Sequence, residues 1–211
     1  MSIKSKVTVL FFSMILLCGC GGEKKAISEI ASTIYGSGYS SYNEAYATYI
    51  EESAYNENEC HYALIYLDED SQPELFVEGN SSADGEQVLT FYNGELRILR
   101  LSRLGSEHIP GKGMLYNNCG HMDYYPVYIY KLYKGDFYIT GKGIWGGLDW
   151  KDGMELDENG EPDYQFEWEG KRCTEEEFYE KIDEIFPLDE GIRPMVRYSR
   201  EEMLDLLTGC G

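Results

Sequence analysis

The chain has 211 residues, with 18 Lys or Arg and 38 Asp or Glu, so its formal net charge is −20 at pH 7. A surface this acidic repels nucleic-acid phosphates and anionic lipid headgroups, which argues against a nucleic-acid partner. The hydrophobic fraction of 43% is ordinary for a globular chain and is enough for one compact domain.

The N-terminus has the three-part pattern of a secretory signal. Lys4 and Lys6 give it a positive start, residues 7–17 are uncharged, and small residues then lead to Cys20. The uncharged stretch is shorter than the about 20 residues with which a helix spans a bilayer. The pattern therefore predicts export rather than a transmembrane helix.

The signal ends in Leu17-Cys18-Gly19-Cys20, which resembles the lipobox of bacterial lipoproteins. The resemblance implies cleavage before Cys20, lipidation of its sulfur and anchoring on the extracytoplasmic face of the cell membrane. We expect a signal peptide in residues 1–19, a lipid-anchored tether in residues 20–24 and a single domain in residues 25–211. The membrane contact would come from the lipid rather than from a basic patch.

Helices are predicted at both ends of this domain. The first has apolar residues at helical spacing, Ile27, Ile30, Ala31 and Ile34. The second begins at the capping-box pattern of Ser41 and Glu44. Two more begin at the patterns Thr174-Glu175-Glu176-Glu177 and Ser199-Arg200-Glu201-Glu202.

Short β-like runs fill the centre of the chain. They cover residues 61–67, 74–77, 87–92, 95–101, 127–133, 137–140 and 164–168. Asn93-Gly94 is a strong hairpin signal, and strands joined this closely are antiparallel. The predicted fold class is therefore α+β, an antiparallel meander sheet flanked by N-terminal and C-terminal helices.

Residues 66–75, Tyr-Leu-Asp-Glu-Asp-Ser-Gln-Pro-Glu-Leu, resemble an Asp-x-Asp-Gly-Asp-Gly-x-Pro-Glu-Leu turn. This turn joins adjacent strands in many uncharacterised Gram-positive lipoproteins. Trp168-Glu169-Gly170-Lys171, with the capping box that follows, is similar to the hairpin-to-helix step of the same proteins. The resemblance implies the fold of those lipoproteins and no particular activity.

Three carboxylates of this turn, Asp68, Asp70 and Glu74, are candidate Ca²⁺ ligands, because Ca²⁺ prefers clustered oxygen ligands. The sequence has Tyr66 at the first acidic position of the pattern and lacks both of its glycines. We expect weak Ca²⁺ binding or none, no other cofactor, and a turn whose Asp side chains bond their own backbone. Residues 157–163 are a second acidic stretch, interpreted as a solvated loop.

Tyrosines are concentrated on the hairpin predicted between residues 124 and 138. Alternation along a strand places Val127 and Ile129 on one side and Tyr128 and Tyr130 on the other. We expect the aliphatic side to be buried and the tyrosines to form an outer binding face. The candidate ligand-binding residues are Tyr128, Tyr130, Trp145 and Trp150. The alternative is that both rows are buried, since strands favour aromatic residues in any case.

Catalytic patterns are weak. Cys60-His61 and Cys119-Gly120-His121 raise the alternatives of a Cys–His nucleophile or a zinc site, but buried cysteines and disulfides are more common uses. The four cysteines that follow the lipobox are expected to form at least one disulfide: Cys60, Cys119, Cys173 and Cys210.

The leading hypothesis is a non-catalytic surface lipoprotein that binds an extracellular glycan, peptide or protein through an aromatic-rich sheet face. One alternative is an extracytoplasmic hydrolase that uses a carboxylate pair. Another is a structural accessory protein of the cell envelope. An open aromatic strip favours binding, whereas two carboxylates facing each other in a concave site favour hydrolysis.

Membrane anchoring should depend on the Cys20 thiol, because the lipid is attached to its sulfur in the resembled proteins. Cys20→Ala is expected to leave unprocessed precursor or to release the protein into the medium. Fractionation followed by immunoblotting measures both, with Cys18→Ala as the matched control. A Cys20→Ala variant that is cleaved and retained like the wild type would contradict the lipobox assignment.

Overall fold

The computed structural model describes residues 29–53, 60–147, 156–160, 163–195 and 197–209. Over these residues the protein is mixed α+β, with two antiparallel sheets and three α-helices, and strands predominate. The elements are β1 (Thr33–Ser37), α1 (Tyr42–Glu52), β2 (His61–Ile65), β3 (Glu74–Glu78), β4 (Glu86–Tyr92), β5 (Glu95–Leu101), β6 (Glu107–Ile109), β7 (Met114–Asn118), β8 (Tyr124–Tyr133), β9 (Asp136–Gly146), β10 (Gln165–Trp168), β11 (Lys171–Cys173), α2 (Glu175–Ile185) and α3 (Arg200–Thr208). None of the described helices is long and apolar enough to cross a membrane.

The first sheet has the strand order β1-β5-β4-β3-β2. Strands β2 to β5 form a meander, and β1 joins it by pairing with β5. The hairpin between β4 and β5 turns at Asn93 and Gly94, as the sequence predicts. Both residues have positive φ, 52° and 81°, which is the backbone geometry of a two-residue turn that matches strand twist.

The second sheet is a six-stranded meander with the order β11-β10-β9-β8-β7-β6. Its longest hairpin joins β8 to β9 at Lys134 and Gly135. The prediction of a single sheet is therefore wrong in number, although each sheet is largely a meander. Strands that follow each other closely are expected to be antiparallel neighbours in one sheet. Nothing in the sequence of residues 102–106 indicates that the first sheet ends at β5 and that the second begins at β6. The short strands β6, β7 and β11 were also not predicted.

The two sheets and the helices form four layers. Helices α1 and α3 cover one face of the first sheet, where Tyr46 and Met203 are fully buried. The other face packs against the second sheet through Phe76, Val88 and Phe137 among others. Helix α2 covers the far side of the second sheet. The first sheet is thus buried on both faces, and all five residues of β3 are buried.

The three helices begin at the expected side-chain caps. The hydroxyls of Ser41, Thr174 and Ser199 accept N–H bonds from the residues three positions later. The caps of α2 and α3 are complete capping boxes. At α1 the Glu44 carboxylate instead accepts the N–H of Ser40. The predicted flanking helices are confirmed at these three places.

The helix expected over Ile27, Ile30, Ala31 and Ile34 is wrong. Residues Thr33–Ser37 form strand β1 along β5, and Ile30 makes an antiparallel bridge with Tyr138. Ile27 lies outside the described residues. Four apolar residues at helical spacing are only a weak signal for a helix. Backbone hydrogen bonds along the edge of β5 favour an extended chain instead.

The segment after α2 closes one side of the two sheets. Ile192 pairs with His108 on β6, with N–H···O distances of 2.9 and 3.0 Å. Tyr198 pairs with Tyr62 on β2 at 2.7 and 2.9 Å. Since β2 and β6 are the edge strands of their sheets, the same segment contacts both edges.

Glycines in β9 allow α2 to pack closely. A Cβ on Gly143 would lie 2.5 Å from Cε2 of Phe178 and 2.7 Å from Cε3 of Trp168. We expect Gly143→Ala to lower the free energy of unfolding by about 1–3 kcal/mol through overpacking, as measured by chemical denaturation. Lys142→Ala, on the exposed opposite face of the same strand, is the control. Equal stability of the two variants would contradict this account of the packing.

Candidate functional site

The acidic turn between β2 and β3 is stabilised by its own backbone. Oδ1 of Asp68 accepts the N–H of Asp70 at 3.0 Å, and Oδ1 of Asp70 accepts the N–H of Gln72 at 2.7 Å. These are the backbone-bonded Asp side chains that the sequence predicts for a polar turn. No group of three His, Cys, Asp or Glu side chains suited to a metal occurs among the described residues. Weak or absent Ca²⁺ binding stays a prediction.

Glu74 points away from the turn and into the protein. It is 2% exposed; its Oε2 accepts the N–H of Leu67 at 3.0 Å, and its Oε1 lies 3.2 Å from the Thr90 hydroxyl. Burial, chiefly, raises the pKa of the Glu74 carboxyl to about 8, and the negative charges of Asp68 and Asp70 add to the shift. The Glu74 carboxyl is therefore largely protonated at neutral pH, which disfavours it as a Ca²⁺ ligand.

The tyrosine row on β8 is only partly an outer face. Val127 and Ile129 are fully buried beneath α2, as the alternation predicts. Tyr130 is only 6% exposed because the first sheet packs on it, so the expectation of an outer face does not hold there. Tyr128 is half-buried at the margin of the same contact. Strand alternation predicts the two rows of β8 correctly, but it gives no sign of the other sheet that covers Tyr130.

An open part of the same face continues beyond the first sheet. Register places Tyr124, Pro126 and Tyr128 of β8 beside Ile144 and Lys142 of β9. Tyr124 is 52% exposed. These side chains, with Glu167 of β10, line a shallow cavity of about 190 Å³. We call the surface formed by Tyr124, Pro126, Tyr128, Lys142, Ile144 and Glu167 the open sheet face.

Trp145 lies on the opposite side of β9. Its ring stacks on Tyr125 with centroids 4.0 Å apart and on Phe166 at 6.2 Å, within the layer that α2 covers. The structure therefore does not bring Trp145 together with Tyr128. Trp150 lies outside the described residues.

A second cavity lies between the two sheets. It has a volume of about 490 Å³ and is lined on one side by the acidic turn, Asp68 to Asp70. Its other side carries three lysines, Lys112, Lys131 and Lys134. We call it the lysine cleft. The sequence did not reveal it, because the lysines come from a turn and a hairpin that only the packing of the two sheets brings to the acidic turn.

Cys60, Cys119 and His108 lie in surroundings that disfavour their charged forms. Burial, chiefly, raises the pKa of the Cys60 and Cys119 thiols, which opposes thiolate formation. Cys60, Cys119 and Cys173 form no disulfide among themselves. Cys210, the fourth cysteine of the predicted set, lies outside the described residues. His108 is 4% exposed, and burial lowers its pKa.

One pair of buried carboxylates occurs in the first sheet. Glu78 and Glu86 both accept bonds from Arg193, at 2.8 and 3.0 Å, and Glu78 also pairs with Arg197. Both carboxylates are thus used in ion pairs that join the sheet to the C-terminal segment. This geometry suits structural support and does not leave a free acid and base facing a cavity.

Comparison of the chain with protein-family models, curated proteins and solved structures gives no match. Function is therefore inferred from the two surfaces that the chain itself presents. The open sheet face offers two tyrosine rings with one lysine and one glutamate. The lysine cleft offers separated positive and negative groups around a larger cavity.

Protonation of Glu74 should make stability depend on pH. Between pH 4.5 and 8 the folded state holds a proton that the unfolded state releases, so stability falls as pH rises through this window. Glu74→Gln keeps a donor and an acceptor for Thr90 and Leu67 but cannot ionise. We expect the variant to be more stable than the wild type at pH 8, with a difference that grows by at most about 1.4 kcal/mol per pH unit.

Urea denaturation at several pH values between 5 and 8 measures this difference. Glu69→Gln, which removes an exposed carboxylate of the same turn, is the control and should follow the wild type. Parallel pH profiles for the wild type and Glu74→Gln would show that Glu74 is ionised in the folded protein.

Proposed function

We propose that this protein is a lipid-anchored surface protein that binds an extracellular ligand without catalysis, and that the ligand contacts the open sheet face. A glycan fits this face best among the glycans, peptides and proteins considered. The supporting observation is the pair of accessible rings, Tyr124 and Tyr128, on one face of the same strand. Flat aromatic faces pack on the apolar side of a sugar ring, while their hydroxyls stay hydrated.

Polar groups flank the rings where sugar hydroxyls would lie. Lys142 pairs in register with Tyr128, and Glu167 pairs with Ile144 on the next strand. Glu167 also forms an ion pair with Arg172 at 3.0 Å, which limits the positions that its carboxylate adopts. A lysine donor and a glutamate acceptor beside aromatic rings provide orientation as well as contact area.

The platform beneath the face is rigid. Val127 and Ile129 on the reverse side of β8 are fully buried against α2, and Gly141 and Gly143 let the helix layer approach β9 closely. A face fixed by a packed core loses little conformational freedom when a ligand binds. Strands rather than loops therefore set the spacing of the two tyrosines.

The proposed location follows from the N-terminal sequence. The lipobox-like stretch ending at Cys20 would anchor the protein outside the cytoplasmic membrane, where extracellular glycans occur. We place the chain with the uncharacterised Gram-positive lipoproteins on the same basis. Supporting this placement, the acidic turn joins the adjacent strands β2 and β3, and residues 168–171 form the turn that leads through β11 to α2.

Removal of either ring should weaken glycan binding. We expect Tyr124→Ala and Tyr128→Ala each to reduce affinity about tenfold, since an aromatic anchor contributes more than about 1 kcal/mol. The measurement is binding of the detergent-solubilised chain to a glycan array, followed by titration with the glycans that bind. Tyr66→Ala is the control, because Tyr66 is 57% exposed but directly follows β2, away from the open sheet face. Equal losses for Tyr66→Ala and Tyr124→Ala would contradict the assignment of the site.

A further inference from the structure

The lysines of the cleft form no ion pair with a carboxylate among the residues that the structure describes. Among the described residues no carboxylate lies within 4.0 Å of the ammonium groups of Lys112, Lys131 and Lys134. Lys131 donates to the backbone carbonyl of Lys112, and Nζ of Lys134 lies 5.2 Å from the centre of the Tyr133 ring. In a chain with 38 acidic and 18 basic residues, three lysines at one cavity without carboxylate partners indicate a place for an anionic group.

The opposite wall of the cleft has the reverse charge. Asp68 and Asp70 each use one carboxylate oxygen, Oδ1, to accept a backbone N–H of the turn. These bonds fix the orientation of both side chains and hold two carboxyl groups at this wall of the cleft. Glu69 beside them is exposed. A wall of this kind accepts an ammonium group and repels a ligand that carries only negative charge.

The space between the walls suits a small organic ligand. Tyr92 at the end of β4 and Leu132 of β8 lie between the charged groups, whereas the Phe91 ring packs on the α1 side of the first sheet. The volume of about 490 Å³ is within the range of small-molecule sites. Tyr92 and Leu132 can pack against aliphatic groups of a ligand whose charged ends reach the two walls.

Backbone contacts form the cleft before any ligand arrives. The N–H of Gly111 donates to the carbonyl of Tyr66 at 3.0 Å, and the N–H of Leu132 donates to the carbonyl of Gly113 at 2.7 Å. On the other side a Cβ on Gly135 would come within 2.3 Å of Cβ of Tyr92, so the β8–β9 turn lies directly against β4. The acidic and basic walls are therefore held by both sheets at a fixed separation.

We propose that the lysine cleft is a second binding site, which takes a short peptide with free amino and carboxyl ends. The peptide carboxylate contacts the lysine wall, its ammonium group contacts the acidic turn, and its side chains pack on Tyr92. This site is separate from the open sheet face and does not depend on the function proposed for that face.

Calorimetric titration of the full chain in detergent micelles with trialanine tests the proposal. Trialanine is expected to bind, and both N-acetyl-trialanine and trialanine amide are expected to bind at least about tenfold more weakly, because each lacks one terminal charge. Absence of binding at millimolar trialanine would overturn the proposal. So would equal affinity for the three peptides.

Variants assign each end of the peptide to a wall. The double variant Lys112→Gln/Lys134→Gln changes two exposed side chains and should remove the preference for trialanine over its amide. Asp70→Asn should remove the preference for trialanine over its N-acetyl form. Lys171→Gln, an exposed lysine on the β10–β11 hairpin, is the matched control and should retain both preferences. Unchanged preferences in the cleft variants would overturn the assignment to this cavity.

Other charged compounds separate a peptide from related ligands. Phosphocholine carries both charges without a peptide, and inorganic phosphate carries the anion alone. Weaker binding of both than of trialanine supports the peptide. Phosphocholine binding as tightly as trialanine would overturn it in favour of a lipid headgroup, and equal binding of phosphate would reduce the cleft to an anion site.

Discussion

The arrangement of the layers depends on one buried carboxylate, that of Glu86 on β4. Glu86 is 1% exposed and accepts the N–H groups of Gly105 and Ser106 at 2.8 and 2.9 Å, the Ser106 hydroxyl, and a guanidinium N–H of Arg193 at 3.0 Å. A buried carboxylate that lacks such partners costs several kcal/mol. Glu86 therefore keeps all its hydrogen-bond partners only when the first sheet, the connection to β6 and the C-terminal segment are in their folded positions.

That connection sets how the second sheet lies on the first. Residues 105 and 106, bound to Glu86, direct the chain into β6, and Arg97 of β5 pairs with Asp136 at the β8–β9 turn. With these contacts fixed, the first sheet covers Tyr130 but leaves Tyr124 accessible. The same stagger forms the lysine cleft beside the acidic turn. Both candidate sites thus result from the packing of two sheets.

Local features could be predicted from the sequence, and features that depend on packing could not. The caps at Thr174 and Ser199 and the turn at Asn93-Gly94 involve residues within four positions of each other, so their chemistry is visible in the sequence. The burial of Tyr130 depends on contacts with residues of the first sheet between Ala63 and Leu101, which are distant in sequence. The proximity of Lys112 and Lys134 likewise requires the pairing of β7 with β8 and the contact between the sheets. Neither can be predicted from a local sequence pattern.

The pairing of Ile192 and Tyr198 with the two sheet edges has a consequence for biosynthesis. An unpaired edge strand is a template for association with other chains. Because ribosomes extend the chain from the N-terminus, β2 and β6 emerge long before the segment that pairs with them. Aggregation of nascent or truncated protein is therefore opposed only after about nine-tenths of the chain has been made, and chains that stop before Ile192 expose both edges at once.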